Sequence, residues 1–415
     1  MKMLIRTLFL MCCTAGTLLA ANIGDVLQGG SFWTMPKQEM INKYLVGLRY
    51  RNAGEKTMRI DASGSLTIGE LKPREIDWMW DEKKEHPESL LVILYNKGDD
   101  GPIDKKEFST RVKDAQEALN TLTGVAGRKK AVSTSESGVK LKAWVWEWEN
   151  GAAMMEAHDH GKKKDYEAEF IRLRFAPDMA GLERGGAADA GNRRSLKEKV
   201  QRTPEGDVWI DGIPMVDQGS KGYCLPATVA RVFAHYGMDG VDMHALASLC
   251  DTEAGGGTTL TGMLSALETI GRRFHVKAVP IVDKSKRPTT EEIVEAYNKM
   301  ARRKGKAELP GFSGVVDRDM DAAVDRFDME ILEASFPVKK AAMKKWFRDI
   351  YKNIDAGVPV LWAIPGHMRM IMGYNEQDGV IYYSDTWGAG HEKKKMTNLK
   401  AYMITQYRGI LRLSK

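Results

Sequence analysis

The spacing of polar and apolar positions changes character along this chain. Val139 to Glu149 alternates for most of its length, with Ala143, Val145 and Trp146 among lysines and glutamates. That period predicts a strand with one face on a core and one toward solvent. Strand patterns also occupy Leu45–Arg51, Thr57–Asp61, Leu90–Asn96, Ala152–Ala157 and Tyr166–Ala176, and helical spacing occupies Met35–Tyr44 and Lys105–Leu122. A helix followed by three strands thus occurs twice, so residues 22–176 are expected to form an α+β domain with an antiparallel sheet and a pseudo-repeat. The tryptophans of the alternating strand, Trp144, Trp146 and Trp148, read as packing and edge protection.

Between 177 and 206 the pattern lapses. Gly181, Gly185, Gly186 and Gly191 stand among alanines and basic residues, the composition of a linker, with Arg184, Arg193 and Arg194 as a candidate processing site. Periodicity then resumes over 207–415. Helices are predicted at Tyr223–Tyr236, Met243–Leu249, Leu260–Ile270 and Lys339–Ile354, and strands at Val358–Ile364, Met368–Tyr374, Val380–Ser384 and Gln406–Leu413. The helices come largely first and the strands last, which is again an α+β arrangement.

The length of 415 residues allows two to three domains with cores of their own. Met1–Ala21 carries Lys2 and Arg6, an apolar run from Leu8 to Leu19 and a small-residue end, the pattern of a signal peptide. A secreted or periplasmic protein is expected, with no integral membrane segment after signal removal. Phe9-Leu10-Met11 before Cys12 lacks the small residues that would mark a lipoprotein. The net charge of +6 is modest, and Lys162–Lys164, Lys339–Lys345 and Lys393–Lys395 read as solvated faces, so no nucleic-acid partner is expected. His158, Asp159 and His160 lack a distant fourth ligand and read as a solvated hairpin turn; no metal or cofactor is expected.

The chemistry concentrates in Asp217-Gln218-Gly219-Ser220-Lys221-Gly222-Tyr223-Cys224-Leu225-Pro226-Ala227, in Gly366-His367 and in Ser384-Asp385-Thr386-Trp387-Gly388. A free thiol titrates near ~8.5 and is a poor nucleophile at neutral pH unless a cation or a helix N-terminus lowers that value. Cys224, just ahead of Pro226 and an apolar helical face, is placed for the second aid, and His367 for the first. Asp385 is the candidate to hold the imidazole in one tautomer, with Trp387 shielding that hydrogen bond. Gln218, six residues before Cys224, is the candidate oxyanion donor beside the Cys224 backbone N–H. His235 lies on the nucleophile's own helix about three turns away and reads as a packing residue. In an exported protein, Cys224 and Cys250 could instead form a disulfide.

These runs resemble the papain-like cysteine peptidases, in particular their bacterial C39-like branch. Gln218-Gly219-Ser220-Lys221-Gly222-Tyr223-Cys224 is similar to the papain Gln-Gly-Ser-x-Gly-x-Cys, Asp385-Thr386-Trp387-Gly388 to its Asn-Ser-Trp-Gly, and Cys224-Leu225-Pro226-Ala227 to the C39-like Cys-Gly-Pro-Ala. Leu225 departs from the residue usual after the nucleophile. The resemblance covers about residues 207–413. It implies a two-lobe fold, helices on one side and an antiparallel sheet on the other, and hydrolysis of a peptide or protein substrate by Cys224, His367 and Asp385 with Gln218. A catalytically idle binding module and a Cys-dependent acyltransferase or transglutaminase-like enzyme remain as alternatives, since fold does not specify function. Residues 22–176 would then be an inhibitory pro-domain or, preferably, an accessory module that targets the substrate.

Overall fold

The computed structural model describes residues 21–414, apart from 55–56, 82–84, 132–138, 185–195, 239–240, 251, 253–256, 258–259, 283–287, 311–324, 365 and 406–408. The expected signal segment up to Ala20, Arg193-Arg194, and the first residues of the last expected strand lie outside these. The chain mixes helices with two eight-stranded sheets, each antiparallel throughout, an α+β arrangement.

The first sheet contains β1 (Arg49–Gly54), β2 (Thr57–Asp61), β3 (Glu75–Asp81), β4 (His86–Asn96), β5 (Arg128–Lys130), β6 (Lys142–Trp148), β7 (Gly151–His160) and β8 (Glu167–Ala176). Their order is β1-β2-β3-β4-β8-β7-β6-β5. It is two four-stranded meanders joined side by side, each preceded by a helix, α1 (Lys37–Tyr44) and α2 (Lys105–Thr123). The expected repeat is therefore present with four strands rather than three. The strand that pattern reading missed in the first half is β3, whose Ile76, Trp78 and Trp80 join the apolar core while Glu75 and Asp77 beside them are buried as well. Phe108, Val112, Ala115, Leu119 and Leu122 of α2 pack with Ile60, Trp78, Leu90 and Val92 in one core.

The second sheet holds β9 (Val200–Arg202), β10 (Asp207–Ile210), β11 (Lys277–Val282), β12 (Val360–Ile364), β13 (His367–Asn375), β14 (Val380–Ser384), β15 (Lys394–Thr397) and β16 (Gly409–Ser414). Its main path runs β9-β10-β13-β12-β16-β11, with β14 on β13 and β15 on β14. Both faces are covered, which is why β12 reads as unbroken Val-Leu-Trp-Ala-Ile. Val360, Trp362 and Ile364 pack on one side with Trp346, Phe347, Ile350 and Ile354 of the helix Lys340–Asp355. Leu361 and Ala363 point to the other side, against Val229, Val232 and Phe233 of α3 (Cys224–His235). α4 (Met243–Leu249) and α5 (Leu260–Phe274) lie on the same side as α3. Among the described residues, no helix is long and apolar enough to cross a membrane.

His158 corrects one expectation. It is no solvated turn residue but a buried member of β7, hydrogen-bonded by Nδ1 to the Lys140 carbonyl and by Nε2 to Ser248 Oγ, both at 2.9 Å. Burial lowers its pKa to about 4.

Candidate active site

Cys224 is the first residue of α3, so its sulfur sits at the positive end of a helix whose apolar face is anchored under the sheet. Pro226 is accommodated because an N–H in the first turn would have no partner within the helix. Thr228 ties this end down. Its hydroxyl donates to the Cys224 carbonyl at 2.7 Å and reaches the Met368 carbonyl at 3.5 Å, joining the turn of Cys224 to the strand of His367.

His367 opens β13 directly after Gly366, whose φ of +68° turns the chain into the strand. Its Nε2 hydrogen-bonds Asp385 Oδ1, which leaves Nδ1 for the hydrogen bond with Cys224. Burial alone would lower the His367 pKa, but the hydrogen bonds to Asp385 and Cys224 outweigh it and raise the value from 6.5 to about 9. Trp387 lies on the imidazole, ring centroids 4.6 Å apart and planes within 16°, and remains 46 % exposed itself. The indole therefore covers one face of the imidazole.

Asp385 follows β14 and is buried. Burial works against its charge, yet the His367 hydrogen bond and then Arg369 hold its carboxyl below the ordinary value. Arg369 Nε stands 3.2 Å from Asp385 Oδ2, the oxygen turned away from His367. Arg231, buried on α3, fixes the backbone: it donates to the Asp385 carbonyl at 2.8 Å, to Ser384 Oγ at 2.7 Å and to the Pro214 carbonyl at 2.8 Å. Sequence reading missed both arginines. Their signal was a charged residue inside an apolar run, Val229-Ala230-Arg231-Val232 and Met368-Arg369-Met370.

Gln218 is brought to the same place. Its backbone N–H donates to the Thr386 carbonyl at 2.8 Å, its Oε1 accepts from the Thr386 hydroxyl, and its Nε2 donates to the Lys221 carbonyl at 2.8 Å. The amide is thus oriented by partners at both ends. Nε2 carries two hydrogens, and the Lys221 carbonyl takes one.

His235, expected as a packing residue, is one, and the alternative of a Cys224–Cys250 disulfide is not what the structure has. His235 is buried with Nε2 on the Gly357 carbonyl at 2.9 Å, and burial lowers its pKa to about 4. Cys224 and Cys250 are free thiols, and burial together with the neighbouring Cys224 pushes Cys250 up to about 12. Away from this site, His160, Glu167 and Glu169 place ligand-type atoms within 4.8 Å of one another. The Lys97 ammonium already pairs with both of those carboxylates, so a metal there would have to displace it.

The structure therefore gathers all four sequence candidates, Gln218, Cys224, His367 and Asp385, at the junction of α3 with the ends of β13 and β14. Residues 210–414, which include all four, match the model of the Peptidase_C39 like family. No curated protein and no solved structure matches the chain. This half of the chain belongs to the Peptidase_C39 like family, a family of peptidases.

Proposed function

We propose that the protein is an exported cysteine peptidase of two-lobe, papain-like layout, cutting peptide bonds with Cys224 as nucleophile. The observation that carries this reading is the hydrogen-bonded series Cys224–His367–Asp385, with the imidazole held near a pKa of about 9. In such a series the imidazolium stabilises the thiolate, and the thiolate attacks the scissile carbonyl carbon. The carbonyl π electrons move onto oxygen, where the second hydrogen of Gln218 Nε2 and the Cys224 backbone N–H receive the charge. Collapse of that intermediate breaks the C–N bond while His367 passes its proton to the leaving amine. Water then attacks the thioester with His367 as base, releasing the acid and returning the proton to the pair. Asp385 keeps Nδ1 facing the sulfur throughout, and the His367 hydrogen bond together with Arg369 keeps Asp385 ionised.

Export rests on the signal pattern of Met1–Ala21. The decisive experiment is a peptide library incubated with wild type and with Cys224→Ala. Cleavage by wild type alone supports the reading; equal cleavage by both overturns it, and no cleavage by either favours the idle module. Release of a modified amine rather than an acid, when amines are added, identifies an acyltransferase.

A further inference from the structure

The loop that presents Gln218 and Cys224 is held from outside its own half of the molecule. Lys221 has a fully buried side chain whose ammonium meets Glu75 Oε2 of β3 at 2.9 Å and Asp99 Oδ2 at 3.2 Å. Arg59 of β2 is fixed by two 2.7 Å hydrogen bonds to Asp77 and donates through Nη1 to the Asp217 carbonyl at 2.6 Å. Gly98 lies so close to Tyr223, the residue before the nucleophile, that a Cβ there would stand 2.7 Å from the ring. Gly219, at φ +68°, leaves room for the cluster, since its own Cβ would come within 3.0 Å of Lys221 Nζ.

These contacts lead straight to the chemistry. The carbonyl of Lys221 is the group that receives Gln218 Nε2, so anchoring the Lys221 side chain fixes the acceptor that aims the amide. A buried ammonium with two carboxylates has one low-energy position, because moving it would leave charges unpaired away from water. We propose that the first sheet is a working part of the active site, with Glu75 and Asp99 acting through Lys221 as positioning residues for the oxyanion donor Gln218. The proposal rests on the peptidase reading above. It assigns residues 22–176 a role distinct from inhibition and from targeting alone.

The test uses the full chain. Glu75→Gln, Lys221→Met and the double variant are compared with wild type on one fluorogenic peptide chosen from the library, and on alkylation by iodoacetamide. Alkylation needs the thiolate but no oxyanion donor, so it separates the two halves of the site. Misaiming the donor should lower kcat by about 100-fold for Lys221→Met, with KM changed by no more than about threefold and alkylation as fast as wild type. The double variant should be no worse than Lys221→Met alone, since the two residues form one unit. Glu75→Gln is nearly isosteric and decides the matter if Lys221→Met does not fold. Folded variants that keep wild-type kcat, or that lose hydrolysis and alkylation in equal measure, overturn the positioning role while leaving the peptidase reading standing. A wild type that neither cleaves peptide nor is alkylated overturns both.

Discussion

Replacing Asp385 by Asn keeps an oxygen in place to accept from His367 Nε2 and removes only the charge. The charge matters here in two separable ways. First, the rise of the His367 pKa from 6.5 to about 9 corresponds to roughly 3 kcal/mol at 1.36 kcal/mol per pH unit. After the opposing effect of burial, the Asp385 hydrogen bond heads its causes, ahead of Cys224. Without the carboxylate the imidazolium should lose its proton about one to two pH units lower. The alkaline limb of kcat/KM, near pH 9 in wild type, should move down accordingly. At pH 8 that alone costs roughly two- to tenfold in rate, from the protonated fraction left at a pKa one to two units below 9. Second, Arg369, 5 % exposed, would face a neutral amide in place of Asp385 Oδ2. Breaking one side of a buried pair costs about 3 kcal/mol, so the variant should also melt at a lower temperature. Adding Arg369→Met should restore melting and leave the pH limb displaced. Asp385→Ala should be slower still, because it loses ring orientation as well. The assay is kcat/KM against pH together with thermal melting of all four proteins. An alkaline limb that stays near 9 in Asp385→Asn would refute the reasoning.

Other outcomes can be checked with the same preparations. The folded-state pKa of His367 lies above its unfolded value, so its contribution to stability is complete below about pH 6.5 and is lost as pH rises through 9. Wild type minus His367→Ala, measured by urea titration, should shrink over that window, and a difference that grows with pH would contradict it. Thr386→Val removes the hydroxyl that fixes Gln218 Oε1 and should reduce kcat about five- to tenfold, near 1 kcal/mol, with iodoacetamide alkylation unchanged. Gly219→Ala forces a Cβ into a left-handed conformation and against Lys221 Nζ, and should destabilise by about 1–3 kcal/mol; a melting temperature equal to wild type would show that the loop yields. Cys250, buried and raised to about 12, should stay unlabelled at pH 8 in native protein and react only on denaturation, so mass spectrometry should find a single label within residues 22–415.

What the sequence determined by itself was whatever has a local signature. The helix of Cys224 was legible because its apolar face recurs at helical spacing before Gly237, and β12 because a strand covered on both sides reads as a continuous apolar run. That Cys224, His367, Asp385 and Gln218 belong to one candidate site was legible because thiol chemistry would need those residue types beside a helix start, and Asp385-Thr386-Trp387-Gly388 is a compact motif. Pattern reading failed at β3, where Glu75, Asp77 and Asp81 interrupt Ile76, Trp78 and Trp80 and make a buried strand look like a charged loop. Those same acids explain the failure, because Asp77 answers Arg59 and Glu75 answers Lys221. Lys221 and Glu75 are 146 positions apart, and Arg231 and Ser384 are 153 apart. A period of two or of 3.6 reports only which face of its own element a residue occupies. Which buried charge meets which depends on how sheets and helices pack, so the support of the site from the first sheet was decided by the tertiary structure alone.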